Sequence, residues 1–386
     1  MTLTIAGETP LLPGVQTIAR DVAARHADEV DRGGRFPTET IDALRELGAL
    51  SAFIPTELGG GGATLPVVAA CCYELGRACG ASAMVFAMHQ IQVVTLVRHL
   101  ADDWFRDYLT EAVADQRLIA SVTSEVGTGG DMGRSIAPLT ATADDQFTFE
   151  KQAPTVSYGG YADDLLVTLR RSPDAEPGDQ VLALAHAEQT ELEPAGTWDV
   201  LGMRGTCSPG FVVRACVPSA QVLSERFDRV AAESMVPVSH ILWSHLWLGI
   251  AQDAFERARA FVRVAARRKP GEDLPAAQRL SRLSGELSML RAEVACGLSD
   301  FVDHDRDQLS TLAMALRFNN LKVVASEHAA DICRGALDTS GVMGFKNDTP
   351  YSVGRHLRDA MSAALMIANE RIHQTNARLL LIAKDV

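Results

Sequence analysis

The chain has 386 residues, 47% of them hydrophobic and 22% charged, which supplies apolar material for two or three folded units and excludes a disordered chain. Its 36 Lys and Arg against 49 Asp and Glu give a formal net charge of −13, which argues against an electrostatic hold on nucleic acid or an anionic membrane and points to a small-molecule partner. Seven cysteines, an odd count with Cys71 and Cys72 adjacent and no CxxC spacing, make neither a disulfide framework nor a zinc site and suit a reducing cytoplasm.

The N-terminus shows no basic stretch leading into an apolar run, so no secretory signal is expected. Residues 1–118 read as a helical domain: Ile41, Leu44 and Leu47, then Val67, Val68 and Leu75, recur at helical spacing, with one glycine-rich interruption at 59–62. Residues 119–227 change period. Short strand-like runs at 147–150, 165–169, 181–184 and 211–213 are separated by Gly, Pro and Asp, the pattern of a small β domain. Residues 228–386 return to helix. Leu280, Leu283, Leu287, Leu290, Val294 and Leu298 paint one face of a long helix, and 309–337 and 355–383 repeat the pattern, which predicts an antiparallel bundle. The fold class is mainly α with a middle β domain. Two stretches free of Asp, Glu, Lys and Arg, 78–97 and 234–252, are long enough for a membrane but carry His89, Gln90 and Gln92, and Pro237, His240 and His245; they are expected as buried helices. The sequon at Asn347 has no use without export.

Phosphate-loop, zinc-protease and nucleophile-elbow signatures are absent, as is any metal-spaced His/Cys cluster. The run 127–133 resembles a dinucleotide loop, but its third glycine falls one place late and strands follow it, which excludes that fingerprint.

The string Thr123-Ser124-Glu125-Val126-Gly127-Thr128-Gly129-Gly130-Asp131 resembles the T-E-P-G-A-G-S-D loop of the acyl-CoA dehydrogenase superfamily, with Glu125, Gly127, Gly129 and Asp131 in register. Further family landmarks follow the family's order: 55–60 upstream, then 157–163, 201–206, 248–252, 341–345 and Arg358-Asp359. The resemblance covers essentially the whole chain. It implies an N-terminal helical domain, a β sandwich or barrel and a C-terminal four-helix bundle, with FAD held at a domain and subunit junction of a homotetramer or homodimer. It also implies an acyl thioester substrate, carried by CoA or an acyl carrier protein, and an electron acceptor such as an electron-transfer flavoprotein.

Carried over residue by residue, the resemblance puts Ser124 and Ser157 against the flavin ring, each keeping a hydroxyl. Gly129 and Gly130 fall in the loop whose backbone amides approach the cofactor. Arg267 takes the place of the arginine that reaches a neighbouring subunit's FAD, and Gly341 and Gly344 the loop near the adenosine half. Departures are Pro270 for an aromatic, Thr155 for a tryptophan, Gly130 for a serine and Asp338 for a glutamine.

The family's usual base is a glutamate near the C-terminus. Counting back from Arg378-Leu379-Leu380 puts Arg371 there, which cannot act as a base; counting forward from Arg358-Asp359 puts Ile367 there. Glu370 is the only carboxylate between Asp359 and Asp385 and is the substitute. The alternative family position, on the earlier helix, holds Ser239-His240, again without a carboxylate. His240, His245 and His89 read as core histidines. The expected activity is FAD-dependent α,β-dehydrogenation of an acyl thioester. Loss of both glutamates keeps open a flavin monooxygenase or oxidase on the same scaffold, and the altered cofactor positions keep open a flavin-poor relative.

Overall fold

The computed structural model describes residues 11–100, 102–268 and 270–382. Among the described residues six α-helices come first: α1 (Leu11–Ile18), α2 (Ala24–Gly33), α3 (Thr38–Glu46), α4 (Leu65–Ala78), α5 (Gly80–Arg98) and α6 (Asp103–Asp115). Local chemistry sets their ends. Pro66 opens the first turn of α4, where a missing N–H costs nothing. The Asp102 side chain accepts from the Phe105 N–H at the start of α6. Gly34 closes α2 at φ +58°. By length and composition α5 could cross a membrane, but 89% of its apolar window is buried inside the protein.

Seven strands follow: β1 (Ile119–Val122), β2 (Thr140–Ala141), β3 (Gln146–Ala153), β4 (Asp164–Arg170), β5 (Gln180–His186), β6 (Thr190–Pro194) and β7 (Phe211–Pro218). They form a three-stranded sheet, β1-β4-β5, and a four-stranded sheet, β2-β3-β7-β6. The β1/β4 pair is parallel, with Ile119 opposite Asp164, and the other pairs are antiparallel. β4 and β5 are buried along six residues in a row, as strands covered on both faces must be, whereas β7 alternates.

Helix returns with α7 (Phe227–Val230), a π turn at Ala231–Met235, α8 (Val236–Arg268), α9 (Pro275–Val302), α10 (Arg306–Leu309), α11 (Leu312–Ser340), α12 (Val342–Phe345), α13 (Gly354–Met361) and α14 (Asn369–Ile382). At 33 residues, α8 runs for about 50 Å and packs on both α4 and α11. Its crossing with α4 is close because glycines face each other: a Cβ on Gly76 would lie 2.4 Å from the Leu246 carbonyl oxygen, and one on Gly249 would lie 2.3 Å from that of Tyr73.

The expected single helix over 355–383 is interrupted. Residues 362–368 form turns between α13 and α14, with Ile367 at φ +45°, a region that β-branched residues avoid. The interruption forms part of the candidate site.

Candidate functional site

A cavity of about 810 Å³ opens where the β domain meets α5, the start of α8 and the 362–368 turns. The β-domain wall is polar and comes from Ser121, Thr123, Ser124, Thr155, Ser157 and Ser208. The Ser124 hydroxyl donates to the Thr155 carbonyl at 2.6 Å. The Thr206 hydroxyl donates to the Met203 carbonyl at 2.9 Å and stands 2.9 Å from that of Ser208, which donates to the Ser157 hydroxyl at 3.0 Å, so the Ser157 proton is free to donate into the cavity.

Gly129 and Gly130 lie at the cavity edge. Gly127, Gly129 and Gly130 adopt φ of +90°, +62° and +81°, and the N–H groups of Gly129 and Gly130 have no partner among the described residues. Left-handed backbone of this kind suits glycine and leaves these two amides open to an acceptor. The Arg371 guanidinium donates to the Gly129 carbonyl at 2.5 Å and lies 3.9 Å from Asp131. α14 starts beside Ala368 on the cavity wall, bringing the positive end of a helix dipole to the same place.

Glu125 anchors this loop from behind. Its carboxylate accepts from the Ile136 and Ala137 N–H groups at 3.0 and 2.7 Å, from the Ser135 hydroxyl at 2.8 Å, and lies 3.5 Å from Lys151 Nζ. Lys151 is fully buried, and desolvation lowers its pKa to about 8 against the opposing pull of Glu125.

The opposite wall is helical and apolar. Met84, Met88 and Gln92 line it from one face of α5, and Met235, Ser239 and Trp243 from one face of the π turn and α8, both sets at i, i+4, i+8. Met132, Met203, Met361 and Met366 complete a lining that holds seven of the chain's eleven methionines. Met203 is held in the left-handed region at φ +52°, its N–H donating to Asp359 Oδ1 at 2.7 Å.

The only charged side chains on this lining, among the described residues, are Arg358 and Arg371; no Asp, Glu or His contributes. Arg358 is neutralised by both carboxylate oxygens of Asp31. Glu370 is exposed and off the lining: its neighbour Arg371 faces the cavity, and one residue of helix turns a side chain through about 100°. The two positions reached by counting, Ile367 and Arg371, both lie on the cavity wall, and neither is a base.

The histidines lie off the lining as well. His89 bridges the Leu50 carbonyl (2.8 Å) and the Ile119 N–H (3.0 Å), and burial lowers its pKa to about 4. Burial lowers His240 to about 3 and His245 to about 4, and each contacts a helix carbonyl. Ser124, Ser157, Gly129 and Gly130 therefore come together at one site. Arg267 and Gly341 are exposed, Gly344 is the buried residue of α12, and all three lie away from the cavity. The methionine wall and the two cavity tryptophans, Trp198 and Trp243, escaped the sequence reading, although the spacing of Met84, Met88 and Gln92 was visible in it.

These groups fit a flavin. The polar wall offers hydroxyls to the ring's heteroatoms, while the Gly129 and Gly130 amides and Arg371 offer a phosphate site.

Comparison with known proteins agrees. The model of the acyl-CoA dehydrogenase N-terminal domain matches residues 9–116, and that of the C-terminal domain matches residues 231–373. A probable acyl-CoA dehydrogenase, YngJ of Bacillus subtilis (strain 168), is 24% identical over 354 residues, covering 90% of each chain. The amino sugar nitrososynthase DnmZ of Streptomyces peucetius is 24% identical over 373 residues, covering 92% of this chain and 86% of its own. Among solved structures, the dibenzothiophene monooxygenase TdsC of Paenibacillus sp. A11-2 superposes with a TM-score of 0.82 at 21% identity, covering 96% of this chain and 97% of its own; an FMN-bound form of it is also known. The chain belongs to the acyl-CoA dehydrogenase family. Within that family it is a flavin-dependent oxidoreductase of the acyl-CoA dehydrogenase-like kind.

Proposed function

We propose that the protein is a flavin-dependent monooxygenase built on the dehydrogenase scaffold. One observation carries this reading: the lining offers no carboxylate and no histidine among the described residues. Dehydrogenation of an acyl thioester starts with removal of a Cα proton by a base at the cavity, and the expected base, Glu370, faces solvent. Oxygenation needs no such base. The nitrososynthase and monooxygenase relatives support this choice.

A reduced flavin bound here supplies two electrons and two protons to dioxygen, so that one oxygen atom enters the substrate and the other leaves as water. The chain's own residues bind, orient and shield. Gly129, Gly130 and Arg371 hold the flavin's first phosphate. Ser157, which accepts from Ser208, donates a hydrogen bond to the ring system, and Ser124 offers its oxygen beside it. The methionine and tryptophan wall excludes water, which suppresses loss of reducing power as peroxide. FMN and FAD share every part addressed by these residues. The adenosine half of FAD would fall to Arg267, Gly341 and Gly344, at a contact between copies in a homodimer or homotetramer.

The test supplies reduced FMN from a separate NADH-linked flavin reductase. Oxygen consumption is expected with less hydrogen peroxide released than by free reduced FMN, and butyryl-CoA or decanoyl-CoA is expected to leave bound oxidised flavin yellow under anaerobic conditions. Bleaching by either thioester would overturn the proposal in favour of dehydrogenation.

A further inference from the structure

In α5 every residue from Gly80 to Leu96 is buried except Met88. Its neighbours one turn away, Met84, Val85, Ile91 and Gln92, are closed off from solvent, so the surface that Met88 keeps opens on the cavity it lines. The other methionines of the lining differ from it. Met84, Met203 and Met235 are buried. Met132, Met361 and Met366 belong to the glycine loop, the end of α13 and the turns beyond it, and each is exposed itself or adjacent to an exposed residue. α5 packs on β1, which carries Ser121 of the polar wall, so Met88 opens into the same chamber as the wall that fits a flavin ring. A thioether in such a place is a two-electron reductant, and it takes up a single oxygen atom to become a sulfoxide.

We propose that Met88 is a site of self-modification: with no substrate in the chamber, its sulfur receives the oxygen atom that substrate would otherwise take. The inference rests on the proposed function and deepens it by naming where the idle reaction ends. The O–O bond of dioxygen breaks; one oxygen atom forms the S–O bond and the other leaves as water. Reduced flavin gives two electrons and the two protons of that water and is left oxidised. The thioether gives the other two electrons. The product replaces a flexible apolar side chain by a polar, chiral one on a wall that is otherwise apolar.

The experiment incubates the protein with FMN, the NADH-linked flavin reductase and heavy-isotope dioxygen, without substrate and with catalase to remove released peroxide. Mass spectrometry then reads every methionine-containing peptide. Met88 is expected to carry one heavy oxygen, at an occupancy about fivefold or more above that of Met289, an exposed methionine off this lining. Dilute hydrogen peroxide added without the reductase is expected to reverse that order, because bulk oxidant reaches exposed sulfur first. No label on Met88, equal label on Met289, or stronger label on Met132, Met361 or Met366 would overturn the inference. Met88 oxidised ahead of Met289 in the peroxide arm would overturn it too, as ordinary peroxide sensitivity. Peroxide release is followed in parallel without catalase. Release slower than from free reduced FMN, with no label on Met88, sinks this inference alone; release as fast as from free reduced FMN sinks the monooxygenase reading.

Discussion

Arg371 and Glu370 show how much rides on a single position. Adjacent in sequence, they differ in facing: the guanidinium reaches the Gly129 carbonyl, and the carboxylate points to water. Arg371 is a third exposed and only loosely paired with Asp131, so its charge is available to a ligand phosphate. Arg371→Met is expected to weaken FMN binding about tenfold, on the order of 1.4 kcal/mol, with part of the loss restored in Arg371→Lys. Quenching of flavin fluorescence reads this directly, and unchanged affinity would remove Arg371 from the phosphate site. Sequence reasoning reached Ser124, Gly129 and Gly130 through the short motif at 123–131 and Ser157 through the separate landmark at 157–163. It chose Glu370 by elimination among carboxylates, a criterion blind to which side of a helix a residue occupies.

Among the elements, the long helices were readable from apolar spacing, and four of the strands, β3, β4, β5 and β7, from alternation or buried runs. β1 is four residues long and β6 is the polar run Thr190–Pro194; neither carries a periodic signal, and both are strands because a neighbour pairs with them. The break at 362–368 was also hidden, since no glycine or proline marks it and Ile367 is held in the left-handed region by its surroundings. The α4/α8 crossing makes a sharper demand on sequence. Gly249→Ala puts a methyl group into the Tyr73 carbonyl, and the helices must separate. A loss of about 1–3 kcal/mol in urea denaturation is expected, despite alanine's better helix propensity. A stabilised variant would mean that the two backbones are not in contact.

At the scale of the molecule, Asp359 ties the β domain to the helical bundle through the Met203 N–H. It is 3% exposed, and burial raises its pKa from the usual 3.8 to about 6 in spite of Arg355. Because the native carboxyl holds its proton to a higher pH than the unfolded one, stability from this group is fully present below about pH 4 and is lost as pH rises through about 6. The total is on the order of 3 kcal/mol. Asp359→Asn keeps an oxygen to accept from Met203 and has no charge to bury. Its stability relative to the parent protein should therefore climb between pH 4 and pH 6 and level off above, as followed by denaturation midpoints. A flat difference across that range would show that the carboxylate is already ionised in the native state at low pH.

The interruption at Ile367 has a consequence for anyone redesigning this chain. Leu365, Met366, Ile367 and Ala368 are consecutive and all contribute to one wall of the chamber, an arrangement no continuous helix permits, since its side chains fan out around the axis. Smoothing the segment with strong helix formers would lengthen the rod and win local order. It would also scatter those four side chains to different compass points, and the room they enclose would go with them.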